Sequence, residues 1–234
     1  MANPVMSPFQ KVKVGVIGAG RAGLTIANHF VVEGHSVLLW DLGEDSKRQI
    51  VEHFGSQALV EESLLITQVQ WLVIAVPDSG IRGWLVQFMN KPCPENLLGI
   101  IHLSGSLGIE VFDGIPDNIG RVALHPMRAF AAPDYSAAAL ENTYFGLTAS
   151  STMVSEQLAN LLPALSNRFL NISQDKRAVY HMAAVMASNF IVPLIIDAKN
   201  LYRSCGIGEE TAEQLVATLV LSTVTNFLNL PEDR

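Results

Sequence analysis

Residues 11–41 read KVKVGVIGAGRAGLTIANHFVVEGHSVLLWD. The stretch divides into a short apolar run, a glycine turn, a helix-length segment and a second apolar run ending in Asp41. Alternation of this kind predicts parallel strands joined by helices that cover both faces of a sheet. Within the turn, Gly18-Ala19-Gly20-Arg21-Ala22-Gly23 follows a strand and opens a helix, the context in which a glycine motif carries information. Gly18 allows the tight turn, Gly20 lets a pyrophosphate approach the backbone, and Gly23 lets helix and strand pack closely. The free N–H groups and partial positive charge of the helix N-terminus suit phosphate. Gly18, Ala19, Gly20, Arg21, Ala22 and Gly23 are therefore the expected dinucleotide-binding loop.

Further apolar runs continue the pattern at 70–76, 97–103, 121–125, 144–149 and 168–172, each closing in polar or turn-forming residues. Ligands bind outside the carboxyl ends of strands in such a sheet. Asp41 ends the second run at close to the ~20-residue spacing of a carboxylate that holds adenosine ribose hydroxyls. That carboxylate repels a 2′-phosphate, so NAD is the expected cofactor, with NADP open because Lys47 and Arg48 lie nearby in sequence. Val76 and Pro77 end the third run, where the chain would pass the nicotinamide ribose.

Beyond residue 173 no strand pattern remains. Residues 175–203 read as one long apolar helix kinked at Pro193 and closed at Gly206, followed by a helix over 209–228. Two helices that are apolar nearly all round cannot bury themselves. The expected organisation is a mostly parallel, doubly wound α/β domain over 1–173 and a small helical substrate and dimerisation domain over 174–234.

Composition narrows the function. The 234 residues carry 22 acidic and 15 basic side chains, a net charge of −7, which argues against nucleic acid or an anionic membrane as partner. The most apolar stretch, 182–196, is interrupted by Ser188, Asn189 and Pro193 and falls short of the ~20 residues of a bilayer span. MANPVMSPFQ has no secretory pattern, and Cys93 and Cys205 stand far apart, which fits the reducing cytoplasm. Neither cysteine nor histidine spacing suggests a metal site.

The ordered segments AVPDSGI, IIHLSGSLGIEVF, ALHPMRAFA and RAVYHMAAVMASNFIVPLI resemble the Rossmann-like oxidoreductases of unassigned substrate in the 6-phosphogluconate dehydrogenase-like superfamily, near pyrroline-5-carboxylate reductase and prephenate dehydrogenase. The resemblance covers most of 11–203. It implies hydride transfer between nicotinamide and a small carboxylate-bearing alcohol, amine or imine, in a cleft completed by a helical domain that supports a homodimer.

His125, in the HPM segment, is the expected acid/base, since imidazole exchanges protons near neutral pH; a histidine bonded to a loop carbonyl would look the same. Ser104 matches a serine beside the reacting hydroxyl, and would serve equally as a plain turn residue. Asn189 matches the asparagine that meets substrate or nicotinamide, and is read on one helical face with His181 and Val185. Val185 stands where many relatives carry a lysine, which makes His181 a candidate replacement proton donor. Arg128 is the candidate for a substrate carboxylate. A dinucleotide-responsive dimer without chemistry is the alternative reading.

Overall fold

A computed structural model describes residues 11–229. The first ten residues, in which the sequence shows no secretory pattern, lie outside the described residues. Seven strands form one sheet in the order β2-β1-β3-β4-β5-β6-β7: β1 Lys13–Ile17, β2 Ser36–Trp40, β3 Trp71–Ile74, β4 Gly99–His102, β5 Gly120–Pro126, β6 Phe145–Ala149 and β7 Phe169–Asn171. All pairings are parallel except β5 with β6. The helices are α1 Arg21–Val32, α2 Glu44–Phe54, α3 Glu62–Gln68, α4 Asp78–Met89, α5 Thr152–Leu161, α6 Arg177–Ala187, α7 Ile191–Ser204 and α8 Glu209–Leu228.

The central strands are buried on both faces, which is why they read as continuous apolar runs. Along β3, Trp71 and Val73 enter one core with Val14, Val16 and α1 residues such as Leu24 and Phe30. Leu72 and Ile74 enter the opposite core with Ile17, Ile100 and the α4 residues Ile81 and Leu85. From β1 the chain steps to β2 on one side and then to β3 on the other, so the strand order reverses at the β1/β3 boundary. A crevice opens there because consecutive connections depart to opposite faces.

The chain divides into two compact units after His181, a boundary that falls within α6. In the C-terminal unit, α7 and α8 pack on each other, and Gly206 takes the positive φ of 82° expected of a left-handed cap.

The single long helix kinked at Pro193 is corrected. A 3-10 turn at Gln174–Lys176 leads into α6, and the helix breaks at Ser188–Phe190, before the proline. The Ser188 hydroxyl donates to the Ala184 carbonyl at 2.6 Å, and the Phe190 N–H reaches back to Val185, a widened turn. Pro193 then falls in the first turn of α7, where a missing N–H costs nothing. Gln174–Ser204 has the length and apolarity to span a membrane by composition. Its two α-helices of 11 and 14 residues each fall below the ~20 required.

Candidate functional site

The groove at the β1/β3 crevice has a volume of about 1000 Å³, and Gly18, Gly20, Arg21 and Ala22 form its floor. Gly18 has φ +97°, and its N–H bonds the Trp40 carbonyl at 2.9 Å. A Cβ there would also lie 2.8 Å from the Ala75 carbonyl carbon. The turn thus needs glycine both for its backbone angle and for the close approach of β3. Gly23 is buried, and a side chain would strike the Gly18 carbonyl oxygen. Gly20 differs, since a Cβ would meet nothing within 4 Å; the space beside it is the groove.

No side chain caps α1 and no acidic residue sits in its first turn, which leaves its terminal amides to a ligand. Asp41 lines the groove at the end of β2. Its carboxylate accepts from the Ala19 N–H at 2.6 Å and the Gly43 N–H at 2.7 Å. Ala19 therefore contributes through Asp41 rather than by facing the groove. Val76 and Pro77 form the wall after β3. Ser46, Glu62, Trp84, Gln87 and Phe130 also line it; these lie on helices and a loop whose approach depends on tertiary packing, and no motif marks them. Lys47 is paired with Glu44 at 2.7 Å and Arg48 with Asp45.

A second cluster gathers at the ends of β4 and β5. His125 closes β5, with Nδ1 3.0 Å from the Tyr180 hydroxyl on α6. His181 approaches edge-on, with ring centres 5.6 Å apart. Both rings rest on Gly105, where a Cβ would fall 2.8 Å from His125 Nε2 and strike His181 Nδ1. Burial first, then the neighbouring His181 and Arg177, push His125 down to about 4. His102, at the end of β4, is likewise lowered to about 4 by burial. Its ring bonds the Gly108 carbonyl and accepts from the Ser104 N–H, which fixes the proton on Nε2.

Ser104 is 4% exposed. Its hydroxyl donates to Asp78 at 2.6 Å and accepts from the Ser106 and Leu107 N–H groups. The hydroxyl is thus committed to Asp78 and to closing its own turn. Asp78 opens α4 directly after Pro77 and also accepts from Ser106, so it ties the groove wall to the histidine cluster. Arg128 is exposed and paired with Asp134 at 3.0 Å. Its guanidinium lies over the Phe130 ring.

The shared helical face of His181, Val185 and Asn189 is corrected, because α6 ends at Ala187. Asn189 lies in the break, exposed, with its amide 3.2 Å from the Ser188 hydroxyl, and belongs to the C-terminal unit.

Sequence reasoning passed over Arg177 and Tyr180. Arg177, Tyr180 and His181 are spaced i, i+3, i+4, a helical face that the residues alone could have revealed. Arg177 is 1% exposed and bonds the Leu107 carbonyl, the Thr148 hydroxyl and the Ser104 carbonyl. It fastens the 104–107 turn to β6. Among the described residues no group of three or more His, Cys, Asp or Glu is placed to hold a metal ion.

Known proteins share this architecture. A Bacteroides fragilis protein described as an NADP oxidoreductase aligns with TM-score 0.75 and 20% identity over 96% of this chain and 83% of its own. Pyrroline-5-carboxylate reductase of Streptococcus pyogenes aligns with TM-score 0.70 and 16% identity, over 95% and 82%. By sequence, a metal reductase of Desulforamulus reducens is 32% identical over 92 residues, 39% of this chain and 13% of that protein. Glycerol-3-phosphate dehydrogenase [NAD(P)+] of Limosilactobacillus fermentum is 28% identical over 102 residues, 37% and 30%. The chain therefore spans less than a third of either of these curated relatives. Residues 143–234 match a domain of unknown function, DUF2520. Residues 3–126, which contain the glycine turn, Asp41 and the groove wall, match the Rossmann-like domain, and with more than half its length so matched the chain belongs to the Rossmann-like family.

Proposed function

We propose that the protein is an NAD-dependent oxidoreductase that moves a hydride between nicotinamide and a small carboxylate-bearing alcohol, amine or imine. The observation that carries this reading is the groove, lined by an uncapped helix N-terminus, the open side of Gly20, Asp41 and Val76–Pro77. These residues fit a dinucleotide. The α1 amides and Gly20 would hold the pyrophosphate, Asp41 the adenosine ribose, and Val76–Pro77 the nicotinamide ribose. The bound cofactor would supply or accept the hydride. His125 would exchange the matching proton, and the exposed Arg128–Asp134 pair, weak as surface pairs are, would open to a substrate carboxylate. Asp41 and Glu62 disfavour a 2′-phosphate, while Lys47 and Arg48 are committed to Glu44 and Asp45.

Titration with NADH and NADPH, followed by nicotinamide fluorescence, tests the reading. NADH is expected to bind at least about 10-fold tighter, the worth of ~1.4 kcal/mol; no binding of either at millimolar concentration overturns it. The commitment of Ser104 to Asp78 favours the non-catalytic dinucleotide-responsive reading. That reading gains if NADH raises the melting temperature while hydroxy, amino and imino acids all fail as substrates. We further propose a homodimer formed through the C-terminal helices, whose exposed side chains include Leu194, Leu201, Leu221, Phe227 and Leu228.

A further inference from the structure

Arg177 is a buried cation whose side-chain hydrogen bonds go to neutral oxygens: the Leu107 carbonyl at 2.8 Å, the Thr148 hydroxyl at 3.0 Å and the Ser104 carbonyl at 2.8 Å. Burying a guanidinium whose hydrogen bonds all go to neutral groups is costly even with the Glu110 charge in the neighbourhood, and an arrangement of that kind favours negative charge that develops nearby. Burial raises the Tyr180 phenol above its ordinary range, and the Arg177 guanidinium works against that rise by favouring the phenolate. The Tyr180 hydroxyl lies 3.0 Å from His125 Nδ1, within reach for the phenol to donate to the ring. Donation in that sense would put the His125 ring proton on Nε2. Nε2 faces Gly105 beside His181 Nδ1, a buried nitrogen with no hydrogen-bond partner among the described residues.

We propose that Tyr180 is the proton source behind His125, in a relay from phenol through imidazole to the reacting oxygen or nitrogen of the substrate, with Arg177 stabilising the phenolate left behind. The relay rests on the oxidoreductase reading above. In the reducing direction a hydride adds to the carbonyl or imine carbon, and the π electron pair moves onto oxygen or nitrogen. That atom takes the proton from His125 Nε2, Nδ1 takes the Tyr180 proton, and the phenolate carries the charge beside Arg177 until water reprotonates it. Oxidation runs the same transfers backwards. Because His125 is held neutral near pH 7, it has no spare proton of its own, and donation from Nε2 requires replacement at Nδ1. Tyr180 is thus a positioning residue that acts through His125.

The test uses the full-length protein labelled with 15N-histidine, compared with Tyr180→Phe, which keeps the ring and its packing. Long-range 1H–15N spectra are expected to show His125 in the Nε2–H form in the wild type and a mixture of tautomers in the variant. A wild-type Nδ1–H form, or a tautomer unmoved by Tyr180→Phe, overturns the relay whatever the activity. With any substrate found, kcat of the variant is expected to fall about 10–100-fold, with KM and NADH affinity unchanged. An unchanged kcat alongside intact NADH binding defeats the relay alone. Failure of the wild type to bind NADH defeats the oxidoreductase reading itself, and the relay with it.

Discussion

Gly20 and Gly23 lie three residues apart and answer to different constraints. A methyl group on Gly23 would strike the Gly18 carbonyl oxygen, whereas one on Gly20 would enter the groove and touch nothing. Gly23→Ala is therefore expected to destabilise the fold by about 1–3 kcal/mol through overpacking. Gly20→Ala should leave stability within about 0.5 kcal/mol yet cut NADH affinity at least about 10-fold. Thermal melts and fluorescence titrations of the two variants separate the roles. His102 gives a second prediction. Its folded pKa of about 4 lies below the ordinary 6.5, so the unfolded chain takes up the proton first. The stability it contributes is fully present above pH 6.5 and is lost as pH falls through 4; at pH 4.5 the loss is about 2–3 kcal/mol. The His102 ring resonances should hold their neutral positions down to about pH 5, and a midpoint near 6.5 would contradict this. The place of the groove was legible in sequence where a residue stands beside the motif that shapes it, as Gly18, Gly20 and Asp41 do. The contact of Ser104 with Asp78 was not legible: the two meet because β3 and β4 are neighbours.

Among the elements, the strands were the most legible, because strands buried on both faces write themselves as uninterrupted apolar runs between turn formers. The antiparallel setting of β6 leaves no such mark, since direction does not alter which side chains are buried. The break between α6 and α7 was misplaced for a different reason. Apolar character continues unchanged across it, and proline draws attention as the obvious interrupter although the Ser188 hydroxyl is what takes the Ala184 carbonyl. Pro193→Ala is accordingly expected to change stability by no more than about 0.5 kcal/mol, and to leave helical content by circular dichroism the same. The proline's ring and missing N–H face Asn189, which is already outside either helix. A loss of more than about 2 kcal/mol would mean that the proline, not the serine, sets the break.

At the scale of the whole molecule, the proposed homodimer predicts a mass near twice 25.4 kDa by light scattering. Leu221, Val224 and Leu228 form one exposed stripe along α8. Since Leu221 is 68% exposed in the single chain, Leu221→Glu costs the protomer little and should shift the species toward 25.4 kDa with an unchanged fold. A wild-type protein that runs as a monomer at tens of micromolar counts against the interface. The two ends of the sheet bear on how such an assembly stops. Beyond β2, residue 59 bridges to Leu39, and the far end closes with β7, a strand of three residues. Among the described residues, neither margin offers a long row of open backbone groups for another sheet to extend. In the proposed homodimer, association would fall to side chains on helices, where a twofold contact uses up the same patch on both copies and leaves nothing further to add to. A fold that exposes so much leucine would, in that dimer, make closed pairs rather than open-ended fibres.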